Sequence, residues 1–225
     1  MYFKVKRKLT NIYRTLYSHF GPQNWWPGDT PFEVCVGAIL TQNTAWQNVE
    51  KAIVNLKKQK ILNPYKINKL PAKKLAKLIT PAGYFNIKAK RLKNFISFLC
   101  EEYDGEVSNM FSNGSGNLRN HLLSVNGIGP ETADSILLYA GNVPIFVVDA
   151  YTKRIFHRLN LTPEDITYHE MQEIFMKNLP SDTMLFNEYH ALIVMLGKNY
   201  CKKKPLCKEC PIKRCYYKNK NVSKN

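Results

Sequence analysis

Four cysteines fall within fifteen residues, as Cys201-x5-Cys207-x2-Cys210-x4-Cys215. Thiolates at this spacing can wrap one metal centre, and both a four-thiolate zinc site and a [4Fe–4S] cluster are chemically open. Zinc sites usually come as two separated C-x2-C knuckles; here there is one. Lys202, Lys203, Lys204, Lys208, Lys213 and Arg214 surround the ligands, so the loop also reads as a face for an anion. A second pattern is Val125-Asn126-Gly127-Ile128-Gly129-Pro130-Glu131-Thr132-Ala133. Its two glycines allow a tight turn whose backbone N–H groups point outward at a helix start, a cradle for phosphate. Twenty residues on, Asp149 opens a helix in Val147-Val148-Asp149-Ala150-Tyr151-Thr152-Lys153-Arg154. Asp is a favoured N-cap. A cap also holds a carboxylate in a fixed place, as charge stabilisation or general-base work requires.

The elements that must carry these residues read as helices. Thr30-Pro31-Phe32-Glu33 has the form of a capping box with Pro at the first helical position. Phe32, Cys35, Val36, Ile39 and Leu40 follow as an apolar stripe. Thr44-Ala45-Trp46-Gln47 has the form of a second box, ahead of Val49, Ala52, Ile53 and Leu56, leaving Gln42-Asn43 in a short break. Leu92, Phe95, Ile96 and Leu99 mark a helix with lysines on its other face. At its head Lys88 and Lys90 are candidate phosphate contacts. Residues 104–117 read as a loop and 142–148 as an extended connector without a strand partner. Thr167 to Glu170 forms a third capping box, and Leu185 to Leu196 the last long helix. Cys35 and Cys100, on apolar faces, read as buried thiols.

The 225 residues carry 33 Lys+Arg against 17 Asp+Glu, a net charge of +16. So one-sided a balance points to an anionic partner, most often nucleic acid. Residues 198–225 hold ten Lys/Arg and one Glu, and residues 1–14 hold five Lys/Arg and no acid. The ends thus carry +14 of the total. Apolar runs such as Ile136 to Ala140 are too short to span a bilayer, which excludes an integral membrane protein. Met1 to Arg14 has no apolar core, which argues against a secretory signal. Six cysteines without secretion suggest metal ligands or buried thiols rather than disulfides.

Together these features resemble the helix-hairpin-helix glycosylases of the endonuclease III superfamily, from about Trp25 to Cys215. Five landmarks occur in the family's order: Leu40-Thr41-Gln42-Asn43-Thr44, Gly83-Tyr84-Phe85-Asn86-Ile87-Lys88-Ala89-Lys90, the Gly-Ile-Gly hairpin, the Val-Asp segment and the terminal cysteines. In that family the hairpin grips the DNA backbone, which the resemblance assigns to Gly127, Ile128, Gly129 and Thr132. A characteristic acid faces a pocket for a flipped-out base, and Asp149 stands at its position. Gln42 stands where the family has a residue filling the vacated hole. The bifunctional branch carries a lysine where this chain has Glu131. A carboxylate cannot form the Schiff base that the lyase route needs, and Glu131 could line the pocket or simply favour a helix start. The resemblance favours [4Fe–4S] over zinc, although the first and last cysteine gaps are each one residue shorter than the usual endonuclease III spacing.

A narrower likeness is to the 3-methyladenine DNA glycosylases of the same plan. Gly-Ile-Gly-x-Glu-Thr-Ala-Asp, Trp25-Trp26-Pro27 and the aromatic Trp46 carry it. N-alkylated purines are cationic, and aromatic faces attract cations, so two facing rings could sandwich such a base. The best-known members of that branch lack the cysteines, so this chain mixes features. The resulting expectation is an all-α fold of two helical domains. One is a helical barrel with the helix-hairpin-helix, 29–142. The other combines 1–28 with 143–225 and carries the cysteine loop 201–215. A DNA cleft would lie between them with Asp149 at its floor. The expected activity is monofunctional hydrolysis of an alkylated purine, 3-methyladenine foremost, from double-stranded DNA, by a monomeric cytoplasmic enzyme. Alternatives are a glycosylase for oxidised pyrimidines or mismatched thymine, with or without lyase activity, and a non-catalytic DNA-binding or redox module.

Overall fold

The computed structural model describes residues 2–112 and 117–217. Among them the chain is all-helical, as expected, with no strand. Its helices are α1 (Tyr2–Phe20), α2 (Pro31–Leu40), α3 (Trp46–Lys58), α4 (Pro64–Lys69), α5 (Ala72–Leu78), α6 (Phe85–Tyr103), α7 (Val107–Ser112), α8 (Leu118–Ser124), α9 (Pro130–Ser135), α10 (Ala150–Arg158), α11 (Tyr168–Asn178) and α12 (Thr183–Asn199). A 3-10 turn, Thr80–Ala82, precedes α6, and a π-helical turn, Ile136–Ala140, extends α9. No described helix is long and apolar enough to cross a membrane. The chain divides into two compact units: Trp26–Val143, and Met1–Trp25 with Pro144–Asn225.

In the first of these, α2 is the axis. Val34, Cys35, Val36, Ala38, Ile39 and Leu40 are all buried, so the helix is apolar around most of its circumference. It packs on α3, α6, α9 and the π turn. Each fully buried Leu or Ile contributes about 1.5–3 kcal/mol relative to exposure. The cap at its head is one-sided. Thr30 Oγ1 accepts the Glu33 N–H at 3.2 Å, but the Glu33 carboxylate turns to Lys57 Nζ at 2.8 Å instead of closing the box. Leu92, Phe95, Ile96 and Leu99 of α6 are buried at the expected helical spacing. The loop expected over 104–117 is partly helical. Gly105 turns the chain at φ +70, and its N–H bonds to Leu99 O, after which Val107 and Met110 bury one face of α7. Gly114, Ser115 and Gly116 lie outside the described residues. The buried Asp134 of α9 takes Arg119 of α8 in a two-pronged pair, Nε to Oδ1 at 2.7 Å and Nη2 to Oδ2 at 3.1 Å.

In the other unit, α1 packs on α11 and α12. Phe146, Phe156, Phe175, Phe186 and Tyr189 form its core, with Phe146 and Phe175 stacked at 3.7 Å. The connector 143–149 is extended and needs no strand partner, because side chains take up its polar groups. Gln172 Nε2 donates to Phe146 O at 2.7 Å, and the Val148 N–H donates to Tyr168 Oη at 3.4 Å. Where α10 crosses α12, Gly197 admits the Tyr151 ring; a Cβ there would lie 2.2 Å from Tyr151 Cδ1. The Thr167–Glu170 box is complete on both sides.

Candidate active site

Asp149 is the N-cap of α10, in extended backbone at φ −120. Its Oδ1 accepts the Thr152 N–H at 2.7 Å and the Thr152 hydroxyl at 2.8 Å. Its other oxygen, Oδ2, lies 3.7 Å from His190 Nε2 on α12; the two side chains are 12% and 7% exposed. Burial alone would push this carboxyl up. The His190 contact and the two Thr152 bonds outweigh it and hold the group below the ordinary carboxylate value. Asp149 is therefore both the cap and a fixed, ionised acid. His190 was not legible in the sequence: five histidines scatter along the chain, and only the crossing of α10 and α12 brings this one to the carboxylate.

The hairpin consists of α8, a turn through Gly127 and Gly129, and α9. Gly127 has φ +99, and a Cβ would meet Arg91 Cγ at 2.3 Å, so conformation and space both demand glycine. Gly129 is the exposed N-cap of α9. Two of the four expected backbone-gripping residues are turned inward. Ile128 is buried and its N–H bonds to Val125 O at 3.0 Å. Thr132 is buried, and its hydroxyl accepts Gln42 Nε2 at 2.9 Å. Gln42 also donates to Gly127 O at 3.0 Å, and its Oε1 accepts Arg91 Nη1. Gln42 and Arg91 thus join the loop after α2, the hairpin turn and α6. The sequence reading missed Arg91.

Lys88 cannot be a phosphate contact. It is 1% exposed. Its Nζ donates to Leu40 O, Thr44 Oγ1 and Ala82 O, each at 2.7 Å. Burial, with Arg91 nearby, lowers its pKa to about 8. The same contacts explain why Thr44 does not cap α3. Its hydroxyl donates to Ala82 O at 2.6 Å, and Ala45 takes the cap position without a side-chain bond. Lys90, one half-turn on, is exposed, as is Tyr84, 70% open in left-handed backbone at the head of α6.

The tryptophans separate. Trp25 lies beneath Lys198, whose Nζ is 5.8 Å from the ring centroid. Trp26 joins Trp46, at 5.1 Å and 83°, and Tyr139 of the π turn, at 5.0 Å and 40°. Trp26 and Trp46 meet edge to face rather than as two facing rings. Both rest over Gly37, whose missing Cβ would stand 3.2–3.3 Å from Trp26 Nε1 and Trp46 Cζ3. Glu131 is exposed in the first turn of α9, where a carboxylate complements the helix dipole.

Cys201, Cys207, Cys210 and Cys215 are half-buried. No three His, Cys, Asp or Glu among the described residues stand close enough together to hold a single metal ion. The four sulfurs nonetheless act on one another: burial first, then the charges of Cys201, Cys215 and Cys207, push the Cys210 thiol up. Two arginines of α10 hold the loop. Arg154 Nε donates to Cys201 O at 2.9 Å. Arg158 donates to Cys201 Sγ at 3.4 Å, Lys202 O at 2.6 Å and Lys203 O at 3.0 Å. A guanidinium on a cysteine sulfur suits a thiolate ligand, so the donor set fits a thiolate-bound centre. Lys202, Lys203, Lys204, Lys208, Lys213 and Arg214 are all exposed around it. Cys35 is buried as expected, whereas Cys100 is only half-buried.

A family profile, the HhH-GPD superfamily of base excision DNA repair proteins, matches residues 36–181. A Methanocaldococcus jannaschii protein whose name places it among the DNA repair glycosylases is 54% identical over 207 residues, covering 91% of this chain and 94% of its own. Of solved structures, the H. pylori 3-methyladenine DNA glycosylase bound to 1,N6-ethenoadenine aligns with a TM-score of 0.73 and 31% identity, over 87% of this chain and 96% of that one. An endonuclease III trapped as a covalent intermediate with DNA aligns with a TM-score of 0.83 over 96% and 98% of the two chains. At 23% identity that likeness speaks for the fold.

Proposed function

The chain belongs to the HhH-GPD superfamily of base excision DNA repair proteins and is a DNA glycosylase of the endonuclease III family; from that premise we propose that it hydrolyses alkylated purines, 3-methyladenine foremost, out of double-stranded DNA as a monofunctional monomer. The observation that carries the reading is Asp149, a buried carboxylate kept ionised, with Oδ1 committed to its helix and Oδ2 outside that cap.

The base leaves the stack first, because its glycosidic bond cannot be reached inside a duplex. As the C1′–N bond breaks, the electron pair departs with the base and positive charge develops on the sugar. A fixed carboxylate stabilises that charge and can accept a proton from the water that then bonds to C1′. A cationic alkylated purine departs as a neutral molecule, so the leaving group needs little help from an acid. The Trp26–Trp46–Tyr139 cluster supports the choice of base, since aromatic faces attract an electron-poor, cationic ring. The likeness to the H. pylori enzyme at 31% identity supports it independently. Glu131 at the lysine position supports water as the nucleophile.

Backbone grip falls to Gly129 at the exposed start of α9, with Lys90 and the lysines of the cysteine loop. Cys201, Cys207, Cys210 and Cys215 would hold a [4Fe–4S] cluster, which when bound would cross-link that basic loop. The test is a panel of duplexes, each with one defined lesion. Strand breaks only after alkali on an alkylated purine are expected. Release of oxidised pyrimidine or mismatched thymine, with nicking before alkali, would overturn the assignment.

A further inference from the structure

Two titratable side chains lie buried together outside the hairpin and the aromatic cluster: Asp149 and His190. Oδ1 of Asp149 has both donors it can use, the N–H and hydroxyl of Thr152. These come from its own helix and would survive any change elsewhere. Oδ2 has no such local support. What stands beside it is the imidazole of His190, seven residues before Gly197, where α12 admits Tyr151 of α10. At 3.7 Å the contact is too long for a full hydrogen bond but within reach of an N–H dipole or an ionic charge.

The other charged groups nearby are turned away. Lys153 Nζ donates to Ile166 O at 2.7 Å, and Arg154 Nε to Cys201 O. Glu188 of α12 accepts the Gln23 N–H at 2.9 Å, and Tyr189 Oη donates to Leu9 O of α1 at 2.8 Å. Tyr168 Oη takes the Val148 N–H. Among the described residues, His190 is the titratable group that acts on Asp149.

We propose that His190 is a positioning residue for Asp149: its imidazole steadies Oδ2 and keeps the buried carboxylate ionised for base excision. Without it, the burial of Asp149 would be opposed by the Thr152 bonds alone, and the carboxyl would protonate at higher pH. This rests on Asp149 being the reacting acid, so the experiment reads the carboxyl and the reaction separately. Protein carrying 13C at Asp carboxyls is titrated by NMR, with Asp149→Asn identifying the signal. The acid limb of single-turnover base release is followed in parallel, as is affinity for a duplex containing a tetrahydrofuran abasic-site analogue.

In His190→Leu the Asp149 midpoint should rise by about one pH unit, the scale of losing a polar partner at a buried carboxylate. The acid limb of release should rise with it while affinity stays within twofold. His190→Gln, which keeps an N–H donor, should recover at least half of the shift. An unmoved midpoint in His190→Leu, or a His190→Gln midpoint that stays as high as that of His190→Leu, overturns the proposal. A midpoint that moves while release does not would uphold the positioning and overturn Asp149 as the reacting acid.

Discussion

Asp149 and Lys88 are both charged and buried, and burial lowers one pKa while the other is lowered in spite of it, with opposite meanings. Lys88 spends all three of its N–H donors on Leu40 O, Thr44 Oγ1 and Ala82 O, and its lowered pKa of about 8 brings loss of its charge within reach. Asp149 commits one oxygen to a cap and leaves the other facing a partner from a different helix, and its lowered pKa makes the charge durable. The contrast separates a charge built into architecture from the one proposed to serve chemistry. The first is fully bonded to neutral groups that fix a loop. The second is half bonded, and what surrounds it favours the ionised form. Asp134, paired at both oxygens with Arg119, belongs with Lys88.

The sharpest break of this contrast is Asp149→Asn. Asn caps a helix as well as Asp does, so stability should change little while base release falls by about 10²- to 10⁴-fold. Single-turnover kinetics beside a thermal melt check this; a large drop in melting temperature would move Asp149 into the architectural group. Asp134→Ala should do the reverse, leaving the Arg119 guanidinium without its buried partner at a cost of about 3–5 kcal/mol in denaturant unfolding. Lys88→Met takes the ammonium donor from Leu40 O, while Ala82 O keeps the Thr44 hydroxyl, and should cost about 1–3 kcal/mol near neutral pH.

The pH dependence distinguishes the two charges further. Native Lys88 gives up its proton near 8, before the unfolded chain does near 10.5, so its contribution to stability rises with pH across that window. For Asp149 the folded value is depressed, so its contribution holds above about pH 4 and is lost as pH falls. Wild-type stability should pull further above that of Lys88→Met from pH 7 to 10.5; parallel curves would contradict the buried titration. The smallest effect is expected at Lys90→Ala, where losing one exposed cation should weaken DNA binding a few-fold and flatten the salt slope by about 1. Lys88→Met should leave that slope unchanged.

Helix positions and the cysteine quartet were legible in the sequence because they depend on neighbours a few residues away. The 3.6-residue period of α6 and the Thr167 box needed nothing from the rest of the fold. Thr44 shows where local reading fails: its pattern is a cap, but the Lys88 ammonium, forty-four residues on, claims the hydroxyl. Lys88 itself read as a phosphate contact because lysines at a helix head usually reach the surface. His190, Arg91 and Tyr139 reach their partners only through helix crossings, which leave no mark on local spacing. Charge misled in a similar way. The chain ends carry +14, yet residues 51–93 hold thirteen Lys/Arg and no acid, for +13, so the remaining stretches sum to −11. Some of those cations are structural: Lys57 pairs with Asp29 and Glu33, and Lys93 closes the carbonyl end of α4 at Ile67 and Leu70.

Gly37 carries a consequence for how such an enzyme can diversify. The Trp26 and Trp46 rings stand on an absent methyl group, with 3.2–3.3 Å between each ring and where that carbon would be. Adding it would lift both rings by a few tenths of an ångström without altering either one. The stand-off of this aromatic cluster is thus adjustable from beneath; if it receives the base, as proposed, a lineage could retune the size of base it accepts in one small step.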